Sequence, residues 1–261
     1  MPTPAVRSLR KVPEITVAFW ITKVLTTGMG ESTSDYLVHL LGPILAISLG
    51  ATALLLALIA QFMVRRYIAG VYWLAVVMVS VFGTMAADSL HGVGVPYWGS
   101  TVFFAVVLAA IFVGWRLSQG TLSIHSIDTR PREFFYWGTV LSTFALGTAA
   151  GDLTASSLHL GYLGAGILFA IVIAVPALAW WKLRLNAVFA FWFAYVTTRP
   201  LGASFADWMA VLPKHGGLGF GTGPVSLGLS IVILCFVIYL GVSRTVALRR
   251  LRVPQSALTD Q

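Results

Sequence analysis

Apolar residues along the chain gather into eight long runs, at about 13–34, 41–63, 68–88, 97–117, 134–152, 160–181, 186–208 and 224–243. Each run is close to the roughly 20 residues that an α-helix needs to cross a bilayer. Barrel strands would alternate apolar and polar residues. Lipid offers no partner to exposed backbone groups, so helices remain the spanning form. The pattern predicts an all-α, polytopic membrane protein of eight transmembrane helices in a single domain. The one sizeable gap is the segment 118–133, and a basic, then polar, tail follows at 245–261.

The polar positions inside the runs repeat. A tryptophan is followed ten residues later by a glycine and five after that by an aspartate, four times: Trp20, Gly30, Asp35; Trp73, Gly83, Asp88; Trp137, Gly147, Asp152; and Trp192, Gly202, Asp207. Self-similarity at fixed spacing marks a repeat architecture. The repeats cover about 13–66, 67–118, 133–184 and 185–244, each with two helices, the first of which carries the motif. An even number of helices per repeat keeps all four in the same orientation, so the repeats are parallel, related by an axis along the membrane normal. A pseudo-symmetric ring, or a pair of paired repeats, is the expected assembly.

Charge orients this array. With the N-terminus inside, fourteen lysines and arginines fall on inner segments and only Lys214 on an outer one, while Lys23 and Arg199 lie within helices. That asymmetry predicts cytoplasmic termini. It also explains the net charge of +8 without nucleic acid, since the charges belong at an anionic inner leaflet. Only 10% of residues are charged, against roughly 25% in an average soluble domain. The single cysteine, Cys235, excludes an internal disulfide and a cysteine-based metal cluster.

The candidate chemistry lies at the outer ends of the motif helices. Each aspartate falls 20 to 24 residues beyond the last inner basic residue. That is about 30–36 Å of helix, near the outer interface. A histidine follows each one: His39, His91, His159 and His215. Carboxylate with imidazole suits a divalent transition metal, and histidine allows proton coupling. The tryptophans and glycines read as repeat packing. The glycines, with Pro200 and Gly28 nearby, are also places where a helix could break and free its carbonyls. Lys23 and Glu31 lie eight residues apart, as do Arg199 and Asp207. A charge in hydrocarbon requires a partner. These are candidate ion pairs, along one helix face or between helices.

The stretches KVPEITVAFWITKVLTTGMGESTSDYL, FGTMAAD, LGTAAGD and TTRPLGASFADW resemble a bacterial family of membrane proteins of unknown function, built of four tandem repeats with two transmembrane segments and a tryptophan each. The resemblance implies this architecture and a bacterial inner membrane, and it carries no catalytic residue. The expected function is a transporter or channel for a cation, with a divalent metal ion favoured and the lipid bilayer and a small ion as partners. A homo-oligomer is compatible with it. The alternatives are a haem- or metal-binding redox protein and a structural or sensory one. No nucleophile triad, P-loop or His-Glu-x-x-His motif points to an enzyme.

Overall fold

The computed structural model describes residues 11–183 and 186–252. The inner basic residues Arg7, Arg10 and Arg184, and the tail beyond 252, lie outside the described residues. Eight long helices occupy the described chain: α1 Val17–Leu41, α2 Pro43–Met63, α3 Ala69–Gly92, α4 Tyr97–Gln119, α5 Arg130–Asp152, α6 Gly161–Leu183, α7 Ala187–Ala210 and α8 Thr222–Arg252. Thr16 caps α1 by accepting the Phe19 amide through its hydroxyl, at 3.2 Å. Gly42 alone joins α1 to α2, at φ 80° and ψ 157°, a backbone region essentially open only to glycine. Pro43 then starts α2, where its missing amide costs nothing.

The motif helices α1, α3, α5 and α7 form the ring. Each packs on the next, and α7 closes against α1. The plainer helices stand outside it. Each packs mainly on the motif helix of the following repeat: α2 on α3, α4 on α5, α6 on α7, and α8 back on α1. The sequence unit and the packing unit are therefore offset by one helix, so the repeats interlock.

Among the described residues four helices are long and apolar enough to cross a membrane: α2, α3, α4 and the Thr222–Ser243 part of α8. In α2, α4 and α8 only 17%, 17% and 11% of the apolar window is buried, against 56% in α3, which places their apolar faces outward. The motif helices α1, α5 and α7 have lower hydropathy because their polar side chains point into the ring. Lys23, Glu31, Thr148 and Arg199 are all buried.

The repeat glycines let the ring close. A Cβ on Gly30 would sit 1.8 Å from Ser80 Oγ, on Gly83 2.7 Å from Phe144 Cβ, on Gly147 2.3 Å from Arg199 Cγ, and on Gly202 1.8 Å from Thr27 Oγ1. Thr27, Ser80, Phe144 and Arg199 are each the seventh residue after a repeat tryptophan. One contact thus occurs four times, always between a glycine and the following motif helix. The reading of these glycines as packing residues takes a definite form here, since each contact runs between one repeat and the next. The helices do not break at these glycines: α1 runs through Gly28 and Gly30, and α7 through Pro200 and Gly202. A π-helical turn, Leu153–Ser157, follows just after Asp152.

The tryptophans form a second fourfold layer. Each is preceded by an aromatic residue that packs on the tryptophan of the next repeat: Phe19 on Trp73 at 5.7 Å, Tyr72 on Trp137 at 5.6 Å, Tyr136 on Trp192 at 6.2 Å and Phe191 on Trp20 at 5.6 Å between centroids. The hydroxyls of Tyr72 and Tyr136 are 2.5 Å apart. This aromatic layer fills the ring at its tryptophan end.

The segment 118–133 covers that end. Ile124 and Ile127 are buried, and the Trp192 indole N–H donates to the Leu122 carbonyl at 2.9 Å. Lys11 lies beneath and pairs with the fully buried Glu133, whose other oxygen accepts from Gln61 at 3.0 Å. Lys11, counted above among the inner surface charges, is thus the buried partner of an acid.

Gly30→Ala should lower the thermal midpoint of the purified protein sharply, because Ser80 Oγ, Cβ and backbone carbon all lie within 3 Å of the added atom. Overpacking of this kind costs about 1–3 kcal/mol. Adding Ser80→Gly should recover part of the loss, and the melting curves of the single and double variants check it.

Candidate functional site

Above the aromatic layer the ring axis becomes polar. Lys23, three residues after the first tryptophan, is 1% exposed. Its ammonium lies 3.9 Å from the centre of the Phe144 ring, on α5 across the ring, and 4.4 Å from that of Tyr195, on the neighbouring α7. Among the described residues no hydrogen bond reaches the Lys23 ammonium, and the two π faces supply its attraction.

The next layer is built around Arg199, which is 0% exposed. Its Nη1 donates to the Thr27 carbonyl at 2.8 Å. Its Nη2 donates to Glu31 Oε2 at 2.7 Å, to Thr148 Oγ1 at 2.7 Å and, in close contact, to Thr84 Oγ1. Glu31, Thr84 and Thr148 hold one repeat position, the residue after the glycine. In the fourth repeat that position is Ala203. Three repeats therefore present an oxygen to the cation that the fourth supplies, and all four motif helices are tied together at one point.

The along-helix pairs considered from spacing are not formed. Arg199 pairs with Glu31 of α1 rather than Asp207 of its own helix, and Lys23 packs against rings rather than Glu31. Eight residues of helix separate the two along-helix partners by about 12 Å along the axis, whereas Glu31 reaches Arg199 across the contact between α1 and α7.

One turn past Glu31 come the aspartates. Asp35, Asp88, Asp152 and Asp207 are all half-buried at the same end of the ring. Each senses the charges of Glu31 and Arg199, and Asp35 acts on Asp88, Asp152 and Asp207. Carboxylate oxygens of Glu31, Asp35 and Asp88 all lie within 4.8 Å of one another. Tyr97, at the start of α4, and Tyr162, in the first turn of α6, also lie within electrostatic reach of the aspartates. The aspartate end thus holds five carboxylates against the Arg199 and Lys23 cations deeper in.

The histidines stand apart from this cluster. His39 is exposed and its Nδ1 lies 2.7 Å from the Asp35 carbonyl. His91 is exposed and stacks on Tyr97 at 3.9 Å. His159 is exposed with φ 56°, and His215 is exposed in the short helix Pro213–His215. Among the described residues the one group with metal-holding geometry is Glu31, Asp35 and Asp88, all oxygen donors.

Sequence reasoning identified Arg199 and Glu31 but not their pairing, and it missed Thr84 and Thr148 as partners of the guanidinium. The signal was available, since the residue after each repeat glycine reads Glu, Thr, Thr and Ala beside one buried arginine. The aromatic residue before each tryptophan was equally visible.

Residues 18–67, 71–121, 135–186 and 190–245 match the model of a Repeat of Unknown Function, DUF347, and the chain belongs to that family. No curated protein and no solved structure is significantly similar to it.

Arg199→Ala leaves Glu31 buried without its ion partner. Breaking such a pair costs about 3–5 kcal/mol. The variant should therefore lose much of its thermal stability, and Arg199→Ala combined with Glu31→Gln should regain part of it. Equal melting midpoints for the single and double variants would show that the pair is not what holds the layer.

Proposed function

Starting from a four-repeat family with no assigned activity, we propose that this protein binds and moves a hard divalent cation along the axis of its four-helix ring, entering at the aspartate end. The observation that carries the reading is the convergence of Glu31, Asp35 and Asp88 within 4.8 Å, beside two further aspartates. Like charges this close repel by about 4 kcal/mol per pair at 4 Å in an effective dielectric of 20, and a bound cation relieves that. Carboxylate oxygens without nitrogen or sulfur donors suit Mg²⁺, Ca²⁺ or Mn²⁺. The exposed histidines shift the preference away from zinc, and they give no support to a haem site, which needs histidines directed inward.

Arg199 gives the pathway its control. The guanidinium crosses the axis directly below the carboxylates and is held by all three remaining motif helices. A cation passing inward has to displace it from Glu31. Glu31 then serves as the exchangeable partner, bonded to Arg199 in the resting state and to the cation during transfer. The aromatic layer at the tryptophan end closes the lower half, so a conducting state requires the ring to open there.

The placement in the membrane belongs to the same proposal: eight spans in a bacterial inner membrane, both termini cytoplasmic, the tryptophan end inside. Reporter fusions ending in the loops after α1, α3, α5 and α7 should all report the outside, and fusions after α2, α4, α6 and α8 the inside. A single loop on the wrong side would overturn this topology.

For the cation, Mn²⁺ binding to the purified protein can be followed by electron paramagnetic resonance. Asp35→Asn and Asp88→Asn should each weaken it by about tenfold or more, because each removes a charged oxygen ligand. His39→Ala and His91→Ala should leave it unchanged. Undiminished binding in both aspartate variants would refute the site.

A further inference from the structure

The interlocked repeats create four related grooves at the tryptophan end, between an outer helix and the motif helix two repeats onward. Three of these can be compared through the residue four positions before the tryptophan. In the α8–α3 groove this residue is Ala69, in close contact with Gly241, whose Cβ position is 3.7 Å from the alanine methyl. In the α2–α5 groove it is Glu133, bridged by Gln61 and paired with Lys11. In the α4–α7 groove it is Val188, and the helices meet here through rings, Phe112 and Trp115 lying 5.2 and 5.7 Å from Trp192 between centroids. Beside that contact lies a cavity of about 690 Å³. That volume is within the roughly 300–1,000 Å³ of ligand sites.

Its lining has two parts. Along its length it is apolar, with Phe112, Trp192, Phe189, Phe193 and Val196. At one end it carries Arg116 and Asn186. The Asn186 carbonyl oxygen accepts the Val188 and Phe189 amides at 2.9 and 3.2 Å, which leaves the side-chain N–H donors unused by that cap. Arg116 is exposed, and among the described residues its guanidinium makes no ion pair. A fork of donors at the basic end of the ring, above an open apolar trough, matches a phosphate ester joined to an acyl chain.

We propose that the α4–α7 groove is a binding site for one anionic phospholipid, its phosphate on Arg116 and an acyl chain along Phe189, Phe193 and Val196. A lipid seated there fills the space that Gln61 and Gly241 close in the related grooves, and it bridges α4 to α7. The proposal is independent of the cation site, which lies at the other end of the ring.

Native mass spectrometry of the full-length protein, released from detergent with equal amounts of phosphatidylglycerol and phosphatidylcholine, tests it. One phosphatidylglycerol should be retained per chain in preference to phosphatidylcholine. Arg116→Ala should reduce that retention by about fivefold or more, roughly the worth of one basic contact at a lipid surface. Val196→Trp keeps the charge and fills the trough, and it should abolish the preference too, while Mn²⁺ binding stays as in the unmodified protein. Equal retention of the two lipids, or a Val196→Trp variant that holds phosphatidylglycerol as before, would reduce the effect to diffuse attraction and overturn the site.

Discussion

A guanidinium buried in the centre of four helices has to find its partners on those helices, because lipid and aromatic rings offer it no acceptor. Arg199 finds four: a carbonyl on α1, a carboxylate on α1 and hydroxyls on α3 and α5. Every motif helix is thereby pinned at one height along the axis. The constraint extends to the backbone. Oxygens on three helices reach one cation only if the helices approach closely, and the repeat glycines permit that approach. The tightest contact of the fourfold set around Arg199 itself is with Gly147, where a side chain would occupy the space of the arginine stem.

The symmetry is kept where packing decides and given up where charge decides. Glycine contacts and aromatic–tryptophan contacts recur around all four steps of the ring. The layers between and above them differ by helix: Lys23, Val76, Val140 and Tyr195 in one, Glu31, Thr84, Thr148 and Ala203 in another. A strict fourfold array of glutamates would leave four buried negative charges facing one another. One acid and two hydroxyls gather on Arg199 Nη2, beside one small residue, with no second carboxylate in the layer. The aspartates can remain fourfold because they are half-buried, where water moderates their repulsion.

The two ends of the ring differ in the same physical terms. The tryptophan end is closed by rings packed edge-on and tilted, by the segment 118–133 and by the buried Lys11–Glu133 pair. The aspartate end is acidic and partly open to solvent. Between them Lys23 faces the rings of Phe144 and Tyr195, and Arg199 gathers oxygens from the other three motif helices.

The local pattern by itself determined the helices and their repetition. Runs of about 20 apolar residues can be little else in lipid, and a spacing of Trp, Gly and Asp repeated without a single insertion implies equivalent environments. The choice of Asp35, Asp88, Asp152 and Asp207 as neighbours followed from that equivalence, and so did the roles of tryptophan and glycine as packing residues. Only the tertiary structure decided which helices touch. The offset between repeat and packing unit depends on contacts between residues fifty and more positions apart, for which the sequence holds no local signal. That offset placed Arg199 on Glu31 instead of Asp207, joined Thr84 and Thr148 to it, and left the histidines on the exposed turns beyond the ring. The buried Lys11–Glu133 pair was hidden for the same reason: each residue alone reads as an ordinary charge at a helix end, and burial comes from a segment folding back across the ring.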